Sequence, residues 1–225
     1  MAETEYDGRV RVGGPAQRRD LGGNLSMLKV AVGPMDNNAY LLRCERTGDQ
    51  VLIDAANDAD TLLQLIEHNG GQLRRVITTH QHGDHWQALE QIVQATGADT
   101  VAHPEDAPGI PVPTTELVSQ GDTIGVGLLQ LTAIHLVGHT PGSIALHYVP
   151  GGSDPAHLWT GDSLFPGGVG NTHGKRENFE SLLTDVSRKL FDVLPDDTMV
   201  YPGHGADTTI GAERPNLEEW RARGW

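Results

Sequence analysis

The chain has 225 residues, enough for one sizeable core, and its 37% hydrophobic content is that of an ordinary soluble globular protein. Thirty acidic against 16 basic residues give a net charge of -14, which argues against a nucleic-acid partner, because phosphates need a basic footprint. No apolar run approaches the roughly 18 residues of a membrane helix. The start MAETEYDGRV is acidic and polar, unlike a signal peptide, so no membrane partner and a cytoplasmic location are expected. Cys44 is the only cysteine, which excludes an intrachain disulfide and a thiolate cluster for a metal. It sits in an expected strand and reads as a buried, inert thiol.

Residues 1–25 carry several glycines and no clear period, and read as a mostly irregular lead-in. From Leu28 the pattern turns to strands: LKVAVG, AYLLRC and QVLIDA, parted by the turn-like stretches GPMDNN and ERTGD. A helix follows over about 58–69, with Leu62, Leu63, Leu65 and Ile66 as its apolar stripe and Gly70 and Gly71 as its stop. LRRVITT is a strand ending in His80. The loop THQHGDHW then leads into a helix from about Trp86 to Thr96. DTVAHPEDAPG reads as a short strand and a Pro-rich turn. DTIGVG, LLQLTAIHLV, SIALHYVP and HLWTGD read as further strands. Phe179, Leu182, Leu183, Val186, Leu190 and Phe191 share one face of a helix near 177–194, ended by Pro195. DTMVYPGHG is a last strand and turn, and GAERPNLEEWRARGW is a short charged helix. This order predicts helices outside β-sheets in one layered α/β domain spanning 1–225.

The sharpest chemical feature is His80-Gln81-His82-Gly83-Asp84-His85, four potential ligands in six residues at a strand end. Three further His or Asp residues stand beside glycines at strand ends: His139 in GHTPG, Asp162 in GDS and His204 in PGHG. Such loops are where a rigid scaffold presents functional side chains. Imidazole and carboxylate without thiolate suit zinc, iron or manganese. A single structural ion is a poorer reading, because closed structural sites use four ligands and often cysteine.

THQHGDH, GHTPGS, TGDSLF and YPGHG resemble, in order and spacing, the motifs of the metallo-β-lactamase superfamily, and most closely its glyoxalase II (hydroxyacylglutathione hydrolase) branch. The resemblance spans about residues 27–211. It implies a four-layer αββα sandwich with two divalent ions, zinc by preference and iron or manganese otherwise. It further implies His80, His82 and His139 on one ion, Asp84, His85 and His204 on the other, and Asp162 bridging both. Asp84 and Asp162 would be the catalytic residues. A hydroxide held between ions roughly 3.5–4 Å apart would attack a thioester or related acyl compound. The branch carries an extra C-terminal helical region that helps bind glutathione. Here only about twenty residues follow YPGHG, so no added C-terminal substrate domain is expected. His173, Lys175 and Arg176 are candidate contacts for a substrate carboxylate.

Two alternatives share these ligands. One is a mononuclear iron persulfide dioxygenase using His80 or His82 with His139 and Asp162. The other is a lactone or β-lactam hydrolase. The substrate is taken to be a small molecule, and the oligomeric state is left open. Thr79, Ser143 and Ser163 are candidates for hydrogen bonds behind the ligands. Ser163 lacks the G-x-S-x-G surroundings of a nucleophile. His68, His103, His135, His147 and His157 are read as structural or exposed, with His157 in a polar loop, and Trp86 as packing at the helix start.

Overall fold

Residues 3–224 are described in a computed structural model. The N-terminal half is built of β1 (Glu3–Thr4), β2 (Ala16–Asp20), β3 (Leu25–Val32), β4 (Asn37–Cys44), β5 (Asp49–Ile53), α1 (Ala59–Asn69), β6 (Gln72–Ile77), α2 (Leu89–Thr96), β7 (Asp99–Ala102) and β8 (Glu116–Leu117). These eight strands form one sheet in sequence order. β2 to β5 pair antiparallel, while β5 to β8 pair parallel. The switch follows from the connections: α1 and α2 supply the crossovers that parallel neighbours require. Asp58 caps α1 by accepting the Thr61 amide at 3.2 Å, and Gly70 ends it at φ +67°.

The second half contributes β9 (Thr123–Val126), β10 (Leu129–His135), β11 (Ile144–Tyr148), β12 (His157–Gly161), β13 (Leu164–Phe165), β14 (Gly168–Val169), α3 (Arg176–Asp185), β15 (Met199–Pro202), β16 (Thr208–Thr209), α4 (Ile210–Glu213) and α5 (Leu217–Arg223). Six of these strands form a second sheet in the order β16-β15-β12-β11-β10-β9. β13 and β14 make a small separate hairpin.

Strand periodicity sorts the apolar side chains into three cores. Tyr40 and Leu42 of β4, Ile144 and Leu146 of β11, Trp159 and Tyr201 meet between the two sheets. The alternate residues Ala39 and Leu41 pack under α1 and α2. Ala145, Leu158 and Val200 pack under α3 and α5. Each sheet is buried on both faces, by the other sheet on one and by helices on the other, and the result is the expected four-layer αββα sandwich.

Several local expectations differ. The lead-in carries the strand β2, whose Arg18 and Arg19 register with Leu28 and Met27. The stretch GPMDNN is only partly a turn, since Asn37 and Asn38 begin β4. α2 starts at Leu89 rather than near Trp86. A 3-10 turn over Gly83–His85 comes first, with the His85 amide on His82 O at 3.0 Å, and it delivers Asp84 and His85 before the helix can begin. The long helix near 177–194 is α-helical only to Asp185. Residues Val186–Phe191 form wider π turns, as in the Asp192 amide bond to Ser187 O at 2.9 Å. His157 is not in a loop: it opens β12 and is buried, bonded to Tyr201 Oη at 2.8 Å and Leu21 O at 3.1 Å. Cys44 is buried, as expected. No helix among the described residues is long and apolar enough to cross a membrane.

Candidate metal centre

β10, β12 and β15 run in one direction, because β11 is antiparallel to β10 and β12 and β15 is parallel to β12. Their C-terminal ends therefore share one edge of the sandwich. His139, Asp162 and His204 follow those ends. In the other sheet β5 and β6 are parallel, and Asp54 and the His80–His85 loop follow their C-terminal ends. Topology thus collects five remote segments at one rim.

All seven candidate ligands meet there. Donor atoms of His80, His82 and His139 lie within 4.8 Å of one another, as do those of His80, His85 and Asp162, and those of Asp84, His85 and His204. Asp162 stands between the groups: its Oδ1 is 3.4 Å from His85 Nε2, and its Oδ2 is 3.5 Å from His204 Nε2 and 3.7 Å from His139 Nε2. Asp84 Oδ2 is 3.3 Å from His204 Nε2 and 3.5 Å from His85 Nε2. Glycine at 203 makes this approach possible. A Cβ there would overlap Asp162 Oδ1 and sit 2.7 Å from His85 Cε1.

The outward ring nitrogens are tied down. Asp54 Oδ2 meets His85 Nδ1 at 2.8 Å, Asn171 O meets His139 Nδ1 at 2.7 Å, Met35 O meets His204 Nδ1 at 3.0 Å, and Thr79 Oγ1 meets His80 Nδ1 at 3.0 Å. A carbonyl or carboxylate at Nδ1 takes its hydrogen, so the Nε2 lone pair faces inward. Inside, nitrogen faces nitrogen: His82 Nδ1 is 2.9 Å and His80 Nε2 3.3 Å from His139 Nε2. His85 Nε2 and Asp162 Oδ1 are buried without a well-aligned hydrogen bond. Orphaned, converging lone pairs of this kind are what a cation satisfies, so the donor set fits a divalent metal.

The electrostatics divide the site. Burial holds His80, His82 and His139 below the ordinary imidazole value. Burial also opposes charging of His85 and His204, but it is outweighed. Asp54 and Asp162 push His85 up to about 10, and Asp162 and Asp84 push His204 up to about 10. Burial would raise Asp162, yet His204 and His85 hold it well below the usual carboxylate range. The His204 contact does the same for Asp84. Positive charge is therefore favoured beside Asp84 and Asp162, where neutral ligands stand on the other side.

Other expected residues fall out differently. His173 joins the rim, its ring centroid 5.7 Å from that of His82, in a left-handed conformation at φ +54°. Lys175 and Arg176 are exposed at the start of α3, outside the cluster. Thr79 makes the expected supporting bonds. Ser143 bonds Thr140 at 2.5 Å, and Ser163 Oγ is buried without a partner. Trp86 donates to Gln81 O at 2.8 Å and packs on the α1–α2 core. His103 and His135 stack on each other at 3.9 Å, and His68 is exposed. Half-buried His147 leaves its Nε2 unbonded, so it lacks the satisfied structural role expected for it.

Three supporting residues lay unread in the sequence. Asp54 accepts from Thr79 N and Oγ1 as well as His85, each at 2.8 Å. Asn37 donates to Asp84 Oδ2 at 2.9 Å. Asp106 binds Gln81 N at 2.9 Å, Thr140 Oγ1 at 2.6 Å and Gly142 N at 2.7 Å, joining the loops of His82 and His139. An aspartate closing the apolar strand VLID was the one legible signal.

With this fold and rim in view, the sequence comparisons are decisive on the family. The chain belongs to the metallo-beta-lactamase superfamily, whose profile matches residues 32–204. Members are typically metal-dependent hydrolases that bind divalent metals. A hydroxyacylglutathione hydrolase of Cereibacter sphaeroides is 34% identical over 169 residues, which cover 75% of this chain but 62% of that protein. The structure of ETHE1 from Myxococcus xanthus matches with a TM-score of 0.74 and 30% identity, covering 86% of this chain and 84% of that one. TTHA1623, solved in a di-iron-bound form, matches with a TM-score of 0.70 and 31% identity over 82% of this chain and 96% of the other.

Proposed function

We propose that this protein hydrolyses a thioester or related acyl compound with two divalent metal ions. The observation that carries the reading is the inward convergence of seven His and Asp side chains, with the outer ring nitrogens of His80, His85, His139 and His204 already bonded. His80, His82 and His139 would hold one ion, Asp84, His85 and His204 the other, and Asp162 both, since a carboxylate has two oxygens to offer. Two cations there would lower the pKa of a water toward neutrality and polarise the substrate carbonyl. The hydroxyacylglutathione hydrolase relative supports an acyl–thiol substrate, and the di-iron neighbour supports a two-ion centre.

The chain's own groups would then do the following. Asp84 Oδ2 is fixed by Asn37, which leaves Oδ1 to take a proton from the attacking water. Water oxygen bonds to the acyl carbon and the C–S bond breaks. The sulfur leaves as thiolate and recovers its proton from Asp84. Such a leaving group needs no strong general acid. His173 at the rim would face the substrate rather than the ions.

The test is metal content per chain on protein purified without added metal, beside turnover of S-lactoylglutathione. About two zinc, iron or manganese ions per chain with thioester cleavage is the expected result. One iron per chain, no cleavage and oxygen uptake with a persulfide would overturn it.

A further inference from the structure

Two cavities adjoin at the rim. One, of about 670 Å³, reaches His139 and Asp162 and is walled by Phe165 and the 167–170 glycine stretch. The other, of about 680 Å³, lies between the start of α3 and the end of α5. Arg223 and Gly224 line both, and the chain passes from one to the other between Asn171 and Thr172. Each volume is in the range that holds a small-molecule fragment or carrier.

The second cavity reverses the charge of the protein. Across the chain acids outnumber bases 30 to 16, whereas Lys175, Arg176, Arg221 and Arg223 here face the single acid Glu180, over an apolar floor of Phe179 and Leu183. The ion pairs of the arginines lie at the surface: Arg176 to Glu180 at 2.7 Å, Arg221 to Glu218 at 2.5 Å and Arg223 to Glu219 at 3.8 Å. Exposed pairs of this kind are weak, so an incoming anion can redirect these side chains. Lys175 has no ion pair among the described residues. Arg223 donates to Gly167 O at 3.1 Å, which places it at the junction of the cavities.

We infer that this cleft binds the anionic half of the substrate's thiol carrier, with α5 supplying Arg221 and Arg223 as its clamp. The inference rests on the hydrolase reading and deepens it. The acyl group lies beside His139 and Asp162, and carboxylate or phosphate groups of the carrier lie between α3 and α5. Guanidinium forks suit either oxyanion in two-point contact.

The experiment compares one acyl group on three carriers: glutathione, coenzyme A, and uncharged N-acetylcysteamine. Binding of S-methylglutathione and S-methyl-coenzyme A is followed by calorimetry on the metal-loaded protein. The expected result is kcat/KM at least about tenfold higher on one charged carrier than on the uncharged one, with the gap narrowing as salt rises. The preferred charged carrier tells carboxylate from phosphate. R221Q/R223Q, and separately the fully exposed R176Q, reduce that ratio, the double variant by about tenfold. Equal turnover of all three carriers, or ratios unmoved by both variants, overturns the cleft while leaving the hydrolase reading intact. No thioester cleaved at all sinks the hydrolase reading. In that case arginine-dependent binding of either S-methyl carrier still supports the cleft, and no binding refutes it.

Discussion

Asp54→Asn is the most discriminating single change. Asp54 is buried, sits at φ +58°, and accepts three hydrogen bonds of 2.8 Å, from Thr79 N, Thr79 Oγ1 and His85 Nδ1. Asparagine tolerates the left-handed backbone and keeps the shape, so the fold is not strained by geometry. The carboxamide can still accept from Thr79 N through one oxygen. Its NH2 then replaces Oδ2 and meets His85 Nδ1–H, donor against donor. A charge-assisted bond worth about 1.5–3 kcal/mol is lost and a buried donor is left unpaired. For the metal-free protein we expect a loss of about 2–4 kcal/mol, or roughly 4–16 °C in Tm for a chain of this size. The neutral ring escapes the clash only with its hydrogen on Nε2, a tautomer that offers a metal no lone pair beside Asp84 and Asp162. Metal affinity at the Asp84–His85–His204 group should fall about 10–100-fold while the His80–His82–His139 group is much less affected. Competitive metal titration with a chromophoric chelator, beside thermal unfolding with and without chelator, reads both effects. Two ions bound as tightly as in the wild type, with an unchanged metal-free Tm, would refute the argument that Asp54 fixes the ring.

Gly203→Ala forces a methyl onto Asp162 Oδ1 and His85. It should cost about 1–3 kcal/mol in overpacking and weaken metal binding at least tenfold by titration, and wild-type affinity would show that the rim can yield. Asp106→Ala orphans the Gln81 and Gly142 amides and leaves the Thr140 hydroxyl with Ser143 alone. A loss of about 3–5 kcal/mol in denaturant unfolding is expected, and less than 1 kcal/mol would mean the two loops hold their places without it. Burial pushes His157 down to about 4, so the folded state keeps it neutral while the unfolded chain protonates near 6.5. Its contribution is therefore complete above about pH 6.5 and is lost as the pH falls toward 4. Between pH 7 and 4 the wild type should lose about 3 kcal/mol more than His157→Gln in urea unfolding, and parallel profiles would disprove it.

The fold class was legible because its cause is local. Near-continuous apolar runs such as AYLLRC and SIALHYV oblige burial on both faces, and the helix stripes near 58–69 and 177–194 supply the outer covers. What failed were boundaries set by tertiary demands. α2 waits until Leu89 because Gly83–His85 first turns to present two side chains to the rim. β2 forms because β3 offers it an edge, and nothing in AQRRD itself announces a strand.

At the site, the legible part was residue type and spacing, and the illegible part was environment. Eleven histidines look alike in a sequence. Five acquire an inward lone pair only because strand ends from two sheets meet at one rim. His157 lies among aromatic rings between the sheets, bonded to Tyr201 and Leu21, and His103 and His135 stack together. The groups that impose orientation, Asp54, Asn37 and Asn171 O, come from segments that read as strand, turn and loop. A backbone carbonyl such as Asn171 O, moreover, carries no side-chain signature at all. The same logic applies to α5, whose LEEWRAR reads as a solvated charged helix. Only packing of Trp220 into the α3 core turns its end toward the rim, and brings Arg223 to the mouth of the cavity that holds His139 and Asp162. A short charged tail thus becomes part of a site through a single buried anchor. Its contribution should vanish with that anchor as fully as with the arginines themselves.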